Sequence, residues 1–190
     1  MSLTVADSPR RHRLTVADYC RMAEVGILAP DARVELIDGD IFDMPPPGNL
    51  HAATVDRLVE IFNCALDGRF SVRGQNPMRL GDLSEPQPDV ALLRRRKDFY
   101  GEHRPGAADT LLIVEVADSS LRFDRETKLR LYASHEILEV WLVDLRNRRL
   151  TRYRAPQQGE YTLIDEPDLG SALGVAALPG IAVDLHDLFG

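Results

Sequence analysis

Apolar residues fall along the chain in two rhythms, one continuous or alternating and one of helical period. The run Leu111-Leu112-Ile113-Val114-Glu115-Val116, rich in β-branched residues and bounded by Asp109 and Asp118, predicts a buried strand over 110–116. A second strand opens at Asp89 and continues through Val90-Ala91-Leu92-Leu93, after the spacer Glu85-Pro86-Gln87-Pro88, whose prolines argue against helix. Residues 138–145, with Val140, Trp141 and Leu142, predict a third strand, which turns through Arg146-Asn147 into 150–153, and Tyr161 to Ile164 adds an edge strand. Short strands are predicted over 70–73 and 78–80, and a hairpin over 33–44 turns at Gly39-Asp40.

The helical rhythm is clearest from Leu50 to Asp67, where Val55, Leu58, Val59, Phe62 and Leu66 recur at helical spacing before Gly68 ends the helix. Thr15 caps a first helix that runs to Leu28 and stops at Ala29-Pro30, and Asp118-Ser119-Ser120 start an amphipathic helix over 123–135. Pro45-Pro46-Pro47-Gly48 is a rigid connector, and the apolar tail 181–189 is suited to dock on the body or on a second subunit. The elements predict one domain over 14–190, of mixed α+β or α/β class, with a central mixed sheet flanked by helices. Residues 1–13 contain no apolar secretory core and read as a disordered lead.

Glu115 interrupts the most apolar segment of the chain. A carboxylate inside a buried strand costs several kcal/mol to desolvate unless it is paired, protonated or bound to a metal. Asp89 stands at the start of another apolar run, so if the two strands are neighbours the two acids converge. Hard oxygen ligands at close range suit Mg²⁺ or Mn²⁺, which keep waters for a substrate phosphate. The plainer reading makes Asp89 a turn residue and Glu115 an edge residue facing water. Lys128 lies more than a full turn into the following helix, where spacing alone favours an i,i+4 pair with Asp124 on a solvated face. Alternation along 33–38 puts Glu35 on the face opposite Val34 and Leu36, as an ordinary exposed strand residue would be, and His51 near a helix start reads as polar surface.

With 190 residues, 44% of them hydrophobic, the chain is long enough for a substantial core. No apolar stretch approaches the roughly 20 residues needed to span a bilayer, and a cytoplasmic location follows. Cys20 and Cys64, each in a predicted helix, read as small buried hydrophobes without a zinc-binding partner. There is no Gly-rich phosphate loop and no serine-nucleophile elbow. The net charge of −7 opposes nonspecific nucleic-acid binding. Local basic groups at 94–97 and at Arg146, Arg148, Arg149, Arg152 and Arg154 fit phosphate-facing patches and solvated loops equally.

The ordered combination of Val-Glu-Leu-Ile-Asp-Gly (34–39), Asn-Leu-His (49–51), Glu-Pro-Gln-Pro-Asp-Val (85–90), Val-Glu-Val-Ala-Asp-Ser-Ser (114–120), Lys-Leu-Arg-Leu-Tyr-Ala (128–133) and Glu-Val-Trp-Leu-Val-Asp (139–144) resembles one large bacterial family. These are the Uma-type proteins grouped with restriction endonucleases in the PD-(D/E)XK nuclease superfamily, and the resemblance runs from Leu14 to the C-terminus. It implies a restriction-endonuclease-like core and a Mg²⁺- or Mn²⁺-dependent endonuclease acting on DNA, with Asp89 and Glu115 as metal ligands. Two residues after Glu115, where the superfamily pattern has lysine, this chain has Ala117, and Lys128 stands as the relocated lysine. Glu35, His51 and Gln75 are additional site residues on the same ground, and two cuts in a duplex would suit a homodimer. The competing expectation is a catalytically inactive nuclease-fold protein that serves as an interaction or nucleic-acid-binding module.

Overall fold

Thr15 starts helix α1 (Val16–Glu24) with a reciprocal cap, its hydroxyl accepting from the Asp18 N–H while the Asp18 carboxylate accepts from the Thr15 N–H. The helix ends four residues short of the predicted Leu28, because the chain turns through Gly26 at a φ of +78°. Next come the hairpin strands β1 (Val34–Ile37) and β2 (Asp40–Asp43), and then α2 (Asn49–Leu66). The computed structural model describes residues 9–189, so residues 1–8 of the predicted disordered lead lie outside the described residues.

The remaining strands are β3 (Phe70–Gly74), β4 (Val90–Arg94), β5 (Thr110–Ala117), β6 (Glu139–Asp144), β7 (Arg149–Gln157) and β8 (Glu160–Asp165), with the short pair β9 (Leu173–Gly174) and β10 (Ala182–Val183) near the C-terminus. Strands β3 to β8 form a six-stranded sheet in sequence order, in which β5 and β6 are parallel and every other neighbour is antiparallel. The parallel step requires a crossover. It is made by α3 (Leu121–Phe123), a π-helical turn (Asp124–Lys128) and α4 (Leu129–Ser134), which run on as one helix. Residues 78–80 are not a strand; only an isolated bridge joins Leu80 to Ser84, because the Gly81-Asp82 turn follows at once.

All eight residues of β5 are buried, because the sheet is covered on both faces. Leu112, Val114 and Val116 pack with Val55, Leu58 and Phe62 of α2, while Ile113 and Ala117 face Leu131 and Tyr132 of α4. The C-terminal segment joins the α2 side through Val183, Leu185 and Leu188, and Arg57 of α2 donates to the Leu188 carbonyl at 2.9 Å. The tail therefore docks on the body of its own chain. Cys64 is exposed and Cys20 only half-buried, which corrects the expectation of two buried thiols; Cys64 lies on the outer face of α2, whose inner face is Leu58, Phe62 and Leu66. Among the described residues, no helix is long and apolar enough to cross a membrane.

Candidate active site

The β4–β5 register pairs Val90 with Val114, so one further step brings Asp89 beside Glu115 at the sheet end nearest α3. The peptide N–H of Val116 donates to Asp89 Oδ2 at 2.8 Å, fixing that carboxylate against β5. Its other oxygen accepts from Gln75 Nε2 at 3.2 Å and stands 3.1 Å from His51 Nε2. Gln75 leaves β3 with a φ of +50°, its N–H held by the Asp89 carbonyl, and this left-handed residue aims the amide at Asp89. His51 lies in the first turn of α2, which has no side-chain cap and no acidic residue.

Glu115 shares the α4 face of β5 with Ile113 and Ala117, by alternation. Two helical residues four apart reach it there: Tyr132 donates its hydroxyl to Oε1 at 2.5 Å, and Lys128 Nζ lies 3.3 Å from the same oxygen. Lys128 Nζ also donates to Glu35 Oε1 at 3.1 Å, so the β1 carboxylate and the β5 carboxylate flank one ammonium. Lys128, Glu35 and Asp124 are each 4% exposed, which overturns both the solvated Asp124–Lys128 pair and the exposed Glu35 expected from spacing. The cause is the packing of the crossover helix on the sheet, which covers the face that carries residues 124 and 128; the π-helical turn there is closed by the Leu129 N–H on the Asp124 carbonyl. His51 is likewise drawn in from the surface by Asp89.

A cavity of about 110 Å³ is bounded by these groups, the Pro45–Pro47 connector and the Asp118–Ser120 turn. Its electrostatics are uneven. Burial works against ionisation of Asp89, but the hydrogen bond and charge of His51, with Lys128 and the Val116 N–H, hold its pKa below the ordinary value. The Asp89 hydrogen bond in turn raises the pKa of His51. Burial lifts Glu115 well above the usual carboxylate range and brings Asp124 to about 6, each opposed by the charge of Lys128. Burial opposes the charge on Lys128 too, yet Glu115, Glu35 and Asp124 together keep its pKa above the ordinary value. Glu35 Oε2 and His51 Nδ1 are buried without a hydrogen-bond partner.

The acids and His51 are gathered into one cavity but are not drawn to a point. Among the described residues, the one group of three whose ligand atoms lie within 4.8 Å of one another is Asp98, Glu102 and His103, an outlying surface cluster in which Asp98 is already engaged by Arg96. Tyr132 and Asp124 are site neighbours that residue type alone did not single out. The signal for Tyr132 was its position four after Lys128, which places both on one helix face. Most basic groups outside the cavity are engaged: Arg152 and Arg154 on Asp165, Arg146 on Asp118, Arg149 on Glu166, and Arg94 and Arg95 on backbone carbonyls.

Comparison with known proteins gives two positive findings. A crystal structure described as that of "a putative nuclease belonging to DUF820" from Anabaena variabilis ATCC 29413 is similar in fold, with a TM-score of 0.69 and 17% identity over 93% of this chain and 97% of that one. No curated protein matches the chain. The model of the Uma2 family, described as "Putative restriction endonuclease", matches residues 16–186. With nearly the whole described length matched, the chain belongs to the Uma2 family.

Proposed function

We propose that this protein is a metal-dependent endonuclease that hydrolyses phosphodiester bonds in DNA, acting in the cytoplasm, with Asp89 and Glu115 holding Mg²⁺ or Mn²⁺ and Lys128 beside them. The observation that carries this reading is the position of Lys128 Nζ, 3.3 Å from Glu115 in the cavity that also contains Asp89, supplied by a helix in place of the strand position occupied by Ala117. The family description and the name of the similar structure support the same class of chemistry.

The residues present fit a hard divalent cation. Five carboxyl groups, those of Glu35, Asp89, Glu115, Asp118 and Asp124, line the cavity with Lys128, His51 and, at its mouth, Arg33, so acidic groups outnumber basic ones. Glu35 Oε2 is a buried oxygen lacking a donor. A bound divalent cation would supply charge neutralisation and a more acidic water at the carboxylates. Asp89 keeps its charge at neutral pH and is oriented from three sides, by His51, Gln75 and the Val116 N–H. Tyr132 fixes one oxygen of Glu115, and Lys128 donates to the other at 3.4 Å. Lys128 stays protonated among its carboxylates, so it serves as a fixed charge and hydrogen-bond donor toward a water or a phosphate oxygen rather than as a proton acceptor. A homodimer, with one site for each strand of a duplex, is the assembly this reading expects.

The test is a calorimetric titration of Mn²⁺ into wild type, Asp89→Ala and Glu102→Ala, followed by cleavage assays on plasmid and single-stranded DNA. Loss of both binding and cleavage in Asp89→Ala alone supports the proposal. Binding that is lost only in Glu102→Ala assigns the ion to the outlying surface cluster. A wild type that binds no metal and cuts nothing leaves the chain as a catalytically inactive member of its fold, an interaction or nucleic-acid-binding module.

A further inference from the structure

Arg33 immediately precedes β1 and, by the alternation of extended chain, projects to the same side as Glu35. Glu35 is the buried end of that face and pairs with Lys128; Arg33 is exposed and lines the mouth of the same cavity. The other two cations of the cavity are committed, Lys128 to Glu35 and Glu115, and His51 to Asp89. Arg33 is the sole arginine of the cavity wall, and no carboxylate lies within ion-pairing distance of it among the described residues. This sets it apart from the arginines of β7, which are neutralised by Asp165 and Glu166.

A substrate phosphate approaching this cavity meets a wall rich in carboxyl groups, and a planar guanidinium held at the rim is the group best suited to grip it through two parallel N–H bonds. We propose that Arg33 is a phosphate-gripping residue, binding a backbone phosphate of the nucleic-acid strand at the cavity mouth, next to the phosphate that faces Asp89 and Glu115. The inference rests on the nuclease reading and adds to it a substrate contact that neither the metal ligands nor Lys128 supplies. Its attachment beside β1 ties the grip to the strand that carries Glu35, so strand position and the buried Glu35–Lys128 pair are set by one rigid segment.

The experiment measures binding of a short fluorescein-labelled duplex by anisotropy, with Ca²⁺ in place of Mn²⁺ to limit turnover, over a range of salt, for wild type, Arg33→Gln and Arg33→Lys. Loss of one phosphate contact lowers the slope of log K against log[salt] by about 0.9 and weakens binding roughly tenfold in Arg33→Gln. Arg33→Lys restores the slope and only part of the affinity, since an ammonium cannot form the paired bonds. Mn²⁺ affinity and the melting temperature stay at wild-type values in both variants. A slope and affinity unchanged in Arg33→Gln overturn the inference while leaving the nuclease reading intact, and so does a loss that tracks falling stability or Mn²⁺ affinity. A Mn²⁺-loaded wild type that neither binds nor cuts the duplex overturns both.

Discussion

Lys128 Nζ lies 3.1 Å from Glu35 Oε1, a nearly buried ion pair between residues 93 positions apart. Such a pair is expensive to break from one side, because the surviving charge has little solvent to turn to. Lys128→Met leaves Glu35 and Glu115 facing each other without their cation, and we expect it to cost about 3–5 kcal/mol. Adding Glu35→Gln recovers a large part of that loss, while DNA cleavage stays abolished in both variants. Urea denaturation of the two single variants and the double variant measures the coupling; strictly additive losses would show that the pair does not act as a unit.

Asp124 gives a pH-dependent signature. Burial raises its carboxyl pKa from 3.8 to about 6. Between about pH 4 and pH 6 the folded protein keeps a proton that the unfolded chain has released, so this group's contribution to stability falls as pH rises through that interval and is level above it. Asparagine cannot ionise and can still accept the Ser120 hydroxyl that bonds Asp124 at 2.6 Å. Asp124→Asn is therefore expected to gain little below about pH 4 and up to about 3 kcal/mol above pH 6. Equal effects in acid and at neutral pH would contradict the shift.

Tyr132 acts on the site through Glu115, holding one carboxylate oxygen with its hydroxyl. Removing a partner of this kind costs about 1–3 kcal/mol in stability and, where the partner orients a metal ligand, roughly 10- to 100-fold in metal affinity. Tyr132→Phe is expected to show both effects. A Mn²⁺ isotherm indistinguishable from wild type would reduce Tyr132 to a core residue.

Glu139 is the instructive contrast. It is a fully buried strand carboxylate like Glu115, yet its oxygens accept from Trp141 Nε1 and from the Ala176 N–H, each at 2.7 Å, away from the cavity. Glu139→Gln turns one acceptor into a donor facing a donor, and we expect a loss of about 1–3 kcal/mol with metal binding and cleavage unchanged. Altered Mn²⁺ affinity in this variant would mean that its effect spreads beyond the strand.

These cases show what a sequence can and cannot reveal here. The neighbouring strands β4 and β5 were legible, because prolines before one and an unbroken apolar run in the other leave few alternatives. So was α2, whose apolar spacing persists over its whole length. The surroundings of Lys128 were not legible: a four-residue spacing to Asp124 describes a solvated pair as well as a buried one, and only the packing of α4 on the sheet decides. Alternation gave the side on which Glu35 lies but not that this side is covered. Glu139 sat in view inside the quoted strand motif, and nothing in residue type separates it from Glu115; the difference is which face of the sheet end holds waiting donors.

The π-helical turn at Asp124–Lys128 makes chain length itself a variable of the site. The helix containing it is anchored at both ends by the parallel pair β5 and β6, so one residue more or fewer cannot be absorbed by sliding either strand. Within the helix it is taken up either as rotation, about 100° per residue, or by the width of this turn. Deleting one residue between Phe123 and Leu129 would turn the wide turn into an ordinary one and swing a different side chain toward Glu115, with the sheet untouched.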